Sequence, residues 1–184
     1  AKVLKKQGAK CSFICRDQKN NLINKIKAEK FKVTVLKFPK KVLKSKISKN
    51  NSKKYSNWLS VDFDDDAFQT INALNNKEVD WLIVDHYGIE KKWEKKLRPK
   101  VKNLMVIDDL ANRNHDCDLL VDQNLVRNFK IRYKNILPKF CKTFLGPEYA
   151  LLQNEYRDFY STAPTKIGPV NNILVYFGGT DLYN

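Results

Sequence analysis

DWLIVDHYGI, residues 80 to 89, is the stretch on which the fold turns. Trp81 to Val84 form a near-continuous apolar run that stops at Asp85, His86 and Tyr87, and Gly88 gives room for a tight turn before a helical pattern begins. Unbroken hydrophobic runs are how the strands of a parallel sheet covered on both faces read in a sequence. Open parallel sheets bind ligands outside the carboxyl ends of their strands, which makes Asp85, His86 and Tyr87 site candidates. A capped turn would read the same way, because an Asp ahead of a helix also satisfies free amides.

The pattern repeats downstream. Leu104 to Ile107 runs into Asp108 and Asp109, Leu119 to Val121 runs into Asp122, Gln123 and Asn124, and Thr143 to Leu145 reads as a further strand. Between the first two lies a helix holding Trp93 and Leu97, which Pro99 should disrupt near its end. Gly146-Pro147 opens a helix expected from about Glu148 to Phe159. Upstream, a short helix closed by Gly8 precedes a strand from Cys11 to Cys15, a helix from about Lys19 to Ala28 and a strand from Phe31 to Leu36. The polar segment from Lys37 to Ser60 reads as a surface excursion. Asp64 to Asn76 is expected to be helical, with Asp64, Asp65 and Asp66 complementing the helix dipole and Phe68, Ile71 and Leu74 at helical spacing.

Strands alternating with helices at these intervals predict an α/β fold with a doubly wound parallel sheet, a Rossmann-like domain over residues 1–160. Residues 161–171, with Pro164, Gly168 and Pro169, read as a linker. Residues 172–184 read as the first strand of a second domain followed by Gly178, Gly179 and Thr180, where bare amides can approach a phosphate. The first element is a helix where a doubly wound domain ordinarily starts with a strand, and the last strand lacks its helix. The chain is therefore expected to be an internal fragment, truncated at both ends.

Composition narrows the function classes. The 184 residues suffice for one core and part of another, and 42% hydrophobic with 11% aromatic residues argues against disorder. No run approaches the ~20 apolar residues of a membrane span, so the expectation is a cytoplasmic protein without a membrane partner. Cys11, Cys15, Cys117 and Cys141 form no CxxC pair and are expected to be reduced, buried small hydrophobes. The formal charge of +15 invites a nucleic-acid reading, but the lysines are spread along helices and loops without aromatic interleaving. A nucleic-acid partner is not expected; a positive field would instead help recruit an anionic substrate. No His/Cys/Asp spacing is diagnostic of a metal, no Walker loop or complete GxGxxG appears, and no metal or cofactor is expected.

Three polar strand ends on one sheet edge, facing the Gly178-Gly179 loop, suit a nucleotide sugar. The segments DWLIVDHYGI (80 to 89), LMVIDDLANRNHDCDLLVDQN (104 to 124), LGPEYALLQNEY (145 to 156) and ILVYFGGTD (173 to 181) resemble the UDP-2,4-diacetamido-2,4,6-trideoxy-β-L-altropyranose hydrolase family of pseudaminic acid biosynthesis. The resemblance covers nearly the whole chain. It implies the N-terminal half of a two-domain glycosyltransferase-B fold and a reaction in which water displaces UDP from the anomeric carbon. It also implies that the family's catalytic histidine, in a GxGH motif after the first strand, precedes Ala1, and that Tyr87 is an active-site residue. Asp85, His86, Asp108, Asp109 and Asn124 are candidates for substrate contact or for shaping the turns, and Gly178, Gly179 and Thr180 for binding the diphosphate. A related glycosyltransferase using an acceptor hydroxyl in place of water, and a noncatalytic module for anionic polymers, are the rival readings.

Overall fold

A computed structural model of the chain describes residues 1–38, 56–75, 77–162 and 168–173. Two compact units divide at Ala150 and Leu151.

The first unit carries helix α1 (Lys2–Lys6), strand β1 (Ser12–Arg16), helix α2 (Ile23–Ala28), strand β2 (Lys32–Leu36), a 3₁₀ turn (Ser56–Leu59), helix α3 (Phe63–Leu74), strand β3 (Val79–Asp85), helix α4 (Lys91–Leu97), and strands β4 (Val101–Ile107), β5 (Leu119–Asp122) and β6 (Lys142–Leu145). Every pairing is parallel. β1 pairs with β2, and β3, β4, β5 and β6 form a four-stranded sheet in chain order. This is the α/β architecture with a parallel sheet that the alternating pattern predicts.

Strand register sorts the sheet into two faces. Val84, Val106 and Leu120 align across the strands, and with Leu104 they join Ala67 of α3 and Trp93 and Leu97 of α4 in one buried cluster. Side chains alternate along a strand, so Trp81 and Ile83 of β3 point to the other face. Both are nearly half exposed, at 47% and 45%. The expectation that this strand is covered on both sides therefore holds for one side among the described residues: α3 and α4 serve the face of Val84, and the unbroken apolar run in the sequence concealed the asymmetry.

Local chemistry explains the element ends. Asp62 caps α3 by accepting from the Asp64 N–H at 2.8 Å, and the left-handed Asn75 (φ 51°) closes it. Asp66, expected to complement the helix dipole, is also buried, where Arg16 meets it at 2.6 Å and the Trp93 indole donates to it at 2.8 Å. Pro99 sits in the 3₁₀ turn Arg98–Lys100 that ends α4. Gly8 has the positive φ (92°) expected of it. Gly146 (φ 111°) is required twice over, since a Cβ there would lie 2.7 Å from the Phe129 ring.

Two expectations are corrected. The helix predicted from Glu148 to Phe159 is instead a 3₁₀ turn, Pro147–Tyr149, followed after a gap by helix α5 (Asn154–Thr162) in the second unit. Gly146-Pro147 starts only that single turn. All four cysteines are free, but only Cys117 is fully buried, so the expectation of buried small hydrophobes holds for it alone. The strand expected at 172–177 falls mostly outside the described residues, as do Gly178, Gly179 and Thr180.

Candidate functional site at the carboxyl edge of the sheet

β3, β4 and β5 end side by side in register, with Asp85 opposite Ile107 and Ile107 opposite Val121, so the polar residues that follow each strand gather at one edge. The predicted residues Tyr87, Asp109 and Asn124 meet there. Asn124 Nδ2 donates to Asp109 Oδ2 at 3.0 Å, and the Tyr87 hydroxyl hydrogen-bonds the same carboxylate. Asp109 Oδ1 is buried without an aligned donor. Burial first, then the hydrogen bond and charge of Asp109, push the Tyr87 phenol up to about 12. At neutral pH it keeps its proton and acts as a donor. Asp85 is exposed at the rim, its carboxyl raised by partial desolvation, opposed by His86 and reinforced by the charge of Asp109.

His86 faces the backbone. Its Nδ1 accepts from the Gly88 N–H at 3.0 Å, and the ring also interacts with the backbone of Trp58. Burial lowers its pKa, which Asp66 opposes, so the neutral ring is favoured. Gly88 has no positive φ; the turn uses its N–H, and Ile89 N–H closes the turn on the His86 carbonyl at 3.2 Å.

Asp108, the next candidate, points inward and away from this rim. Tyr133 O–H lies 3.0 Å from Asp108 Oδ2 and 3.2 Å from Asp122 Oδ2, with the Asp108 carbonyl at 2.9 Å. Arg113 Nη1 stands 2.7 Å from Asp108 Oδ1, an ion pair without hydrogen-bond alignment, while its Nε donates to the Ile89 carbonyl at 2.7 Å and Nη2 to the His86 carbonyl at 3.4 Å. Arg132 reaches Asp122 Oδ2 and the Asp109 carbonyl, both at 2.9 Å. Two arginines and a tyrosine thus hold the backbone from which Tyr87 and Asp109 project.

None of these three holders was singled out in the sequence. Arg113 lies in a loop that reads only as polar, and nothing in the spacing of Arg132 and Tyr133 points to Asp108 and Asp122. His115, the other histidine, is 1% exposed, with Nδ1 2.6 Å from Glu94 Oε1. Among the described residues no group of three or more His, Cys, Asp or Glu side chains is arranged to hold a metal ion, and no helix is long and apolar enough to cross a membrane.

No protein-family model matches the chain. Over 119 residues it is 32% identical to the UDP-2,4-diacetamido-2,4,6-trideoxy-β-L-altropyranose hydrolase of Campylobacter jejuni, an alignment covering 64% of this chain and 41% of that enzyme. Over 137 residues it is 27% identical to an uncharacterised protein of Methanocaldococcus jannaschii, covering 66% of this chain and 28% of that protein. The chain spans less than half the length of either relative. It is thus an α/β chain with a parallel four-stranded sheet and flanking helices, similar over part of its length to a UDP-sugar hydrolase.

Proposed function

We propose that this chain contributes the sugar-facing domain of a nucleotide-sugar hydrolase with a glycosyltransferase-B architecture, which releases UDP from a UDP-linked 2,4-diacetamido-2,4,6-trideoxy sugar on the route to pseudaminic acid. Residues 1–160 form its first domain, 161–171 the linker, and 172–184 the start of the domain whose Gly178, Gly179 and Thr180 receive the diphosphate. The observation that carries this reading is the Tyr87, Asp109 and Asn124 constellation. A carboxylate with one oxygen held by an amide and the other buried without an aligned donor stands at the strand ends, beside a phenol that stays protonated at neutral pH.

Water attacks the anomeric carbon, the bond from that carbon to the β-phosphate oxygen breaks, and UDP leaves with the electron pair. Asp109 takes the hydrogen bond of the Tyr87 O–H and holds the phenol in place, so toward the substrate the phenol oxygen accepts from a sugar hydroxyl, an acetamido N–H or water. Asp85 lies at the open rim where it can meet the sugar's polar substituents. The base that takes the proton from water is assigned to the histidine of a GxGH segment. His86 is committed to backbone groups and His115 is enclosed, so neither of the two histidines present suits that role.

UDP release from the native substrate, measured for the 184-residue chain and for the full-length protein, tests this. Negligible turnover by the chain and ready turnover by the full-length protein are expected. Substantial turnover by the chain alone refutes the placing of the base; none by the full-length protein refutes the reaction. Adding candidate acceptor alcohols distinguishes transfer from hydrolysis.

A further inference from the structure

The sequence marks Trp58 only as part of a polar excursion, yet its ring packs against Tyr87 with centroids 5.5 Å apart and planes at 44°. The residue is 53% exposed, an unusual state for the largest side chain beside a candidate catalytic group. Its backbone, by contrast, is held from several sides. Gln18 Nε2 donates to the Trp58 carbonyl at 3.1 Å and to Ser60 Oγ at 3.1 Å, His86 hydrogen-bonds the Trp58 backbone, and the neighbouring Leu59 is sunk in the core at 4% exposure. The segment is anchored while the indole projects at the rim. His86 ties that anchor to the turn that presents Tyr87, which gives a histidine facing only backbone a definite task.

We infer that Trp58 is a specificity-determining residue, an aromatic platform on which the C–H face of the substrate's pyranose ring lies while Tyr87 addresses its polar edge. Binding sites pair apolar and aromatic walls with a few placed polar groups, and here the wall and the phenol touch. A sugar with two acetamido methyl groups and a deoxygenated C6 offers more C–H surface to an indole than a fully hydroxylated hexose. The substrate class rests on the reading proposed above.

The test uses the full-length protein with Trp58→Ala and Trp58→Phe, both checked for wild-type melting. Removing an interaction that ground and transition states share equally raises KM and leaves kcat in place. Trp58→Ala is expected to raise KM for the UDP-linked diacetamido sugar about tenfold with kcat within about twofold, and Trp58→Phe to restore KM to within about threefold, as one ring stacked on the sugar is worth about a factor of ten. An unchanged KM in a folded Trp58→Ala protein overturns the inference and leaves the hydrolase reading standing. Tryptophan fluorescence separates the two further. Quenching by the free diacetamido sugar that Trp58→Ala abolishes supports the platform even if the wild-type protein releases no UDP, a result that would sink the reaction alone. Equal quenching by UDP without sugar moves the platform to the nucleobase and overturns its assignment to the sugar; no quenching by any of these ligands overturns it as well.

Discussion

Asp108 and Asp109 are neighbours at the end of one strand, and their surroundings could hardly differ more. Asp108 is 1% exposed, inside a closed set with Tyr133, Arg113 and, through Tyr133, Asp122 and Arg132. Asp109 lies at the rim with Tyr87 and Asn124. Both follow the last residue of β4, Ile107, where the backbone leaves the strand; Asp108 turns to the interior and Asp109, in the bend after it, to the edge. The inner set holds backbone in place, and the outer set stands at the edge of the sheet.

Breaking the inner set should therefore cost stability first. Asp108→Ala strands the Arg113 guanidinium, which is 11% exposed, and removing one partner of a buried ion pair costs about 3 to 5 kcal/mol. A comparable drop in urea-unfolding free energy is expected; a loss below about 1 kcal/mol would dissolve the distinction between the two aspartates. Breaking the outer set should cost activity instead. In the full-length protein Tyr87→Phe is expected to lower kcat by about a hundredfold, the scale of a lost hydrogen-bonding group at the reacting atoms, while unfolding free energy moves by less than about 1 kcal/mol.

Tyr133→Phe sharpens the contrast, since it deletes only a hydroxyl and leaves Asp108 and Asp122 without their shared donor. About 1 to 3 kcal/mol of stability should go, read in the same unfolding experiment. The smallest effect concerns His86. Burial lowers its folded-state pKa, so as pH falls from the ordinary value of about 6.5 toward that lower value the unfolded chain takes up a proton that the folded chain does not. Stability falls with pH across that window. Unfolding midpoints compared at about pH 7.5 and 5.5 should differ more in wild type than in His86→Gln, which carries no titrating ring. An identical pH dependence in both would remove His86 from this role.

Much of the fold was legible because its signals are local. Apolar runs ending in acids marked β3, β4 and β5, Pro99 marked the end of α4, and Gly8 its turn. The failure between Gly146 and α5 has an equally local origin: Leu151, Leu152 and Tyr156 offer apolar spacing, yet all three are well exposed, so the spacing there is not matched by burial. At the sheet edge, the strand-end rule brought together Tyr87, Asp109 and Asn124 along with Asp108, but could not tell rim from interior.

What the sequence determined by itself is the alternation of strands and helices and the polar strand ends, because hydrophobic period and turn chemistry act over a few residues. Only the tertiary structure decided which carboxylate is enclosed, that Arg113, Arg132 and Tyr133 hold the edge, that one sheet face of β3 is exposed, and that Trp58 leans on Tyr87. Those partners are separated by 5 to 29 positions along the chain, counting from Asp108 to Arg113 and from Trp58 to Tyr87. No local pattern encodes such pairings; packing and strand register create them.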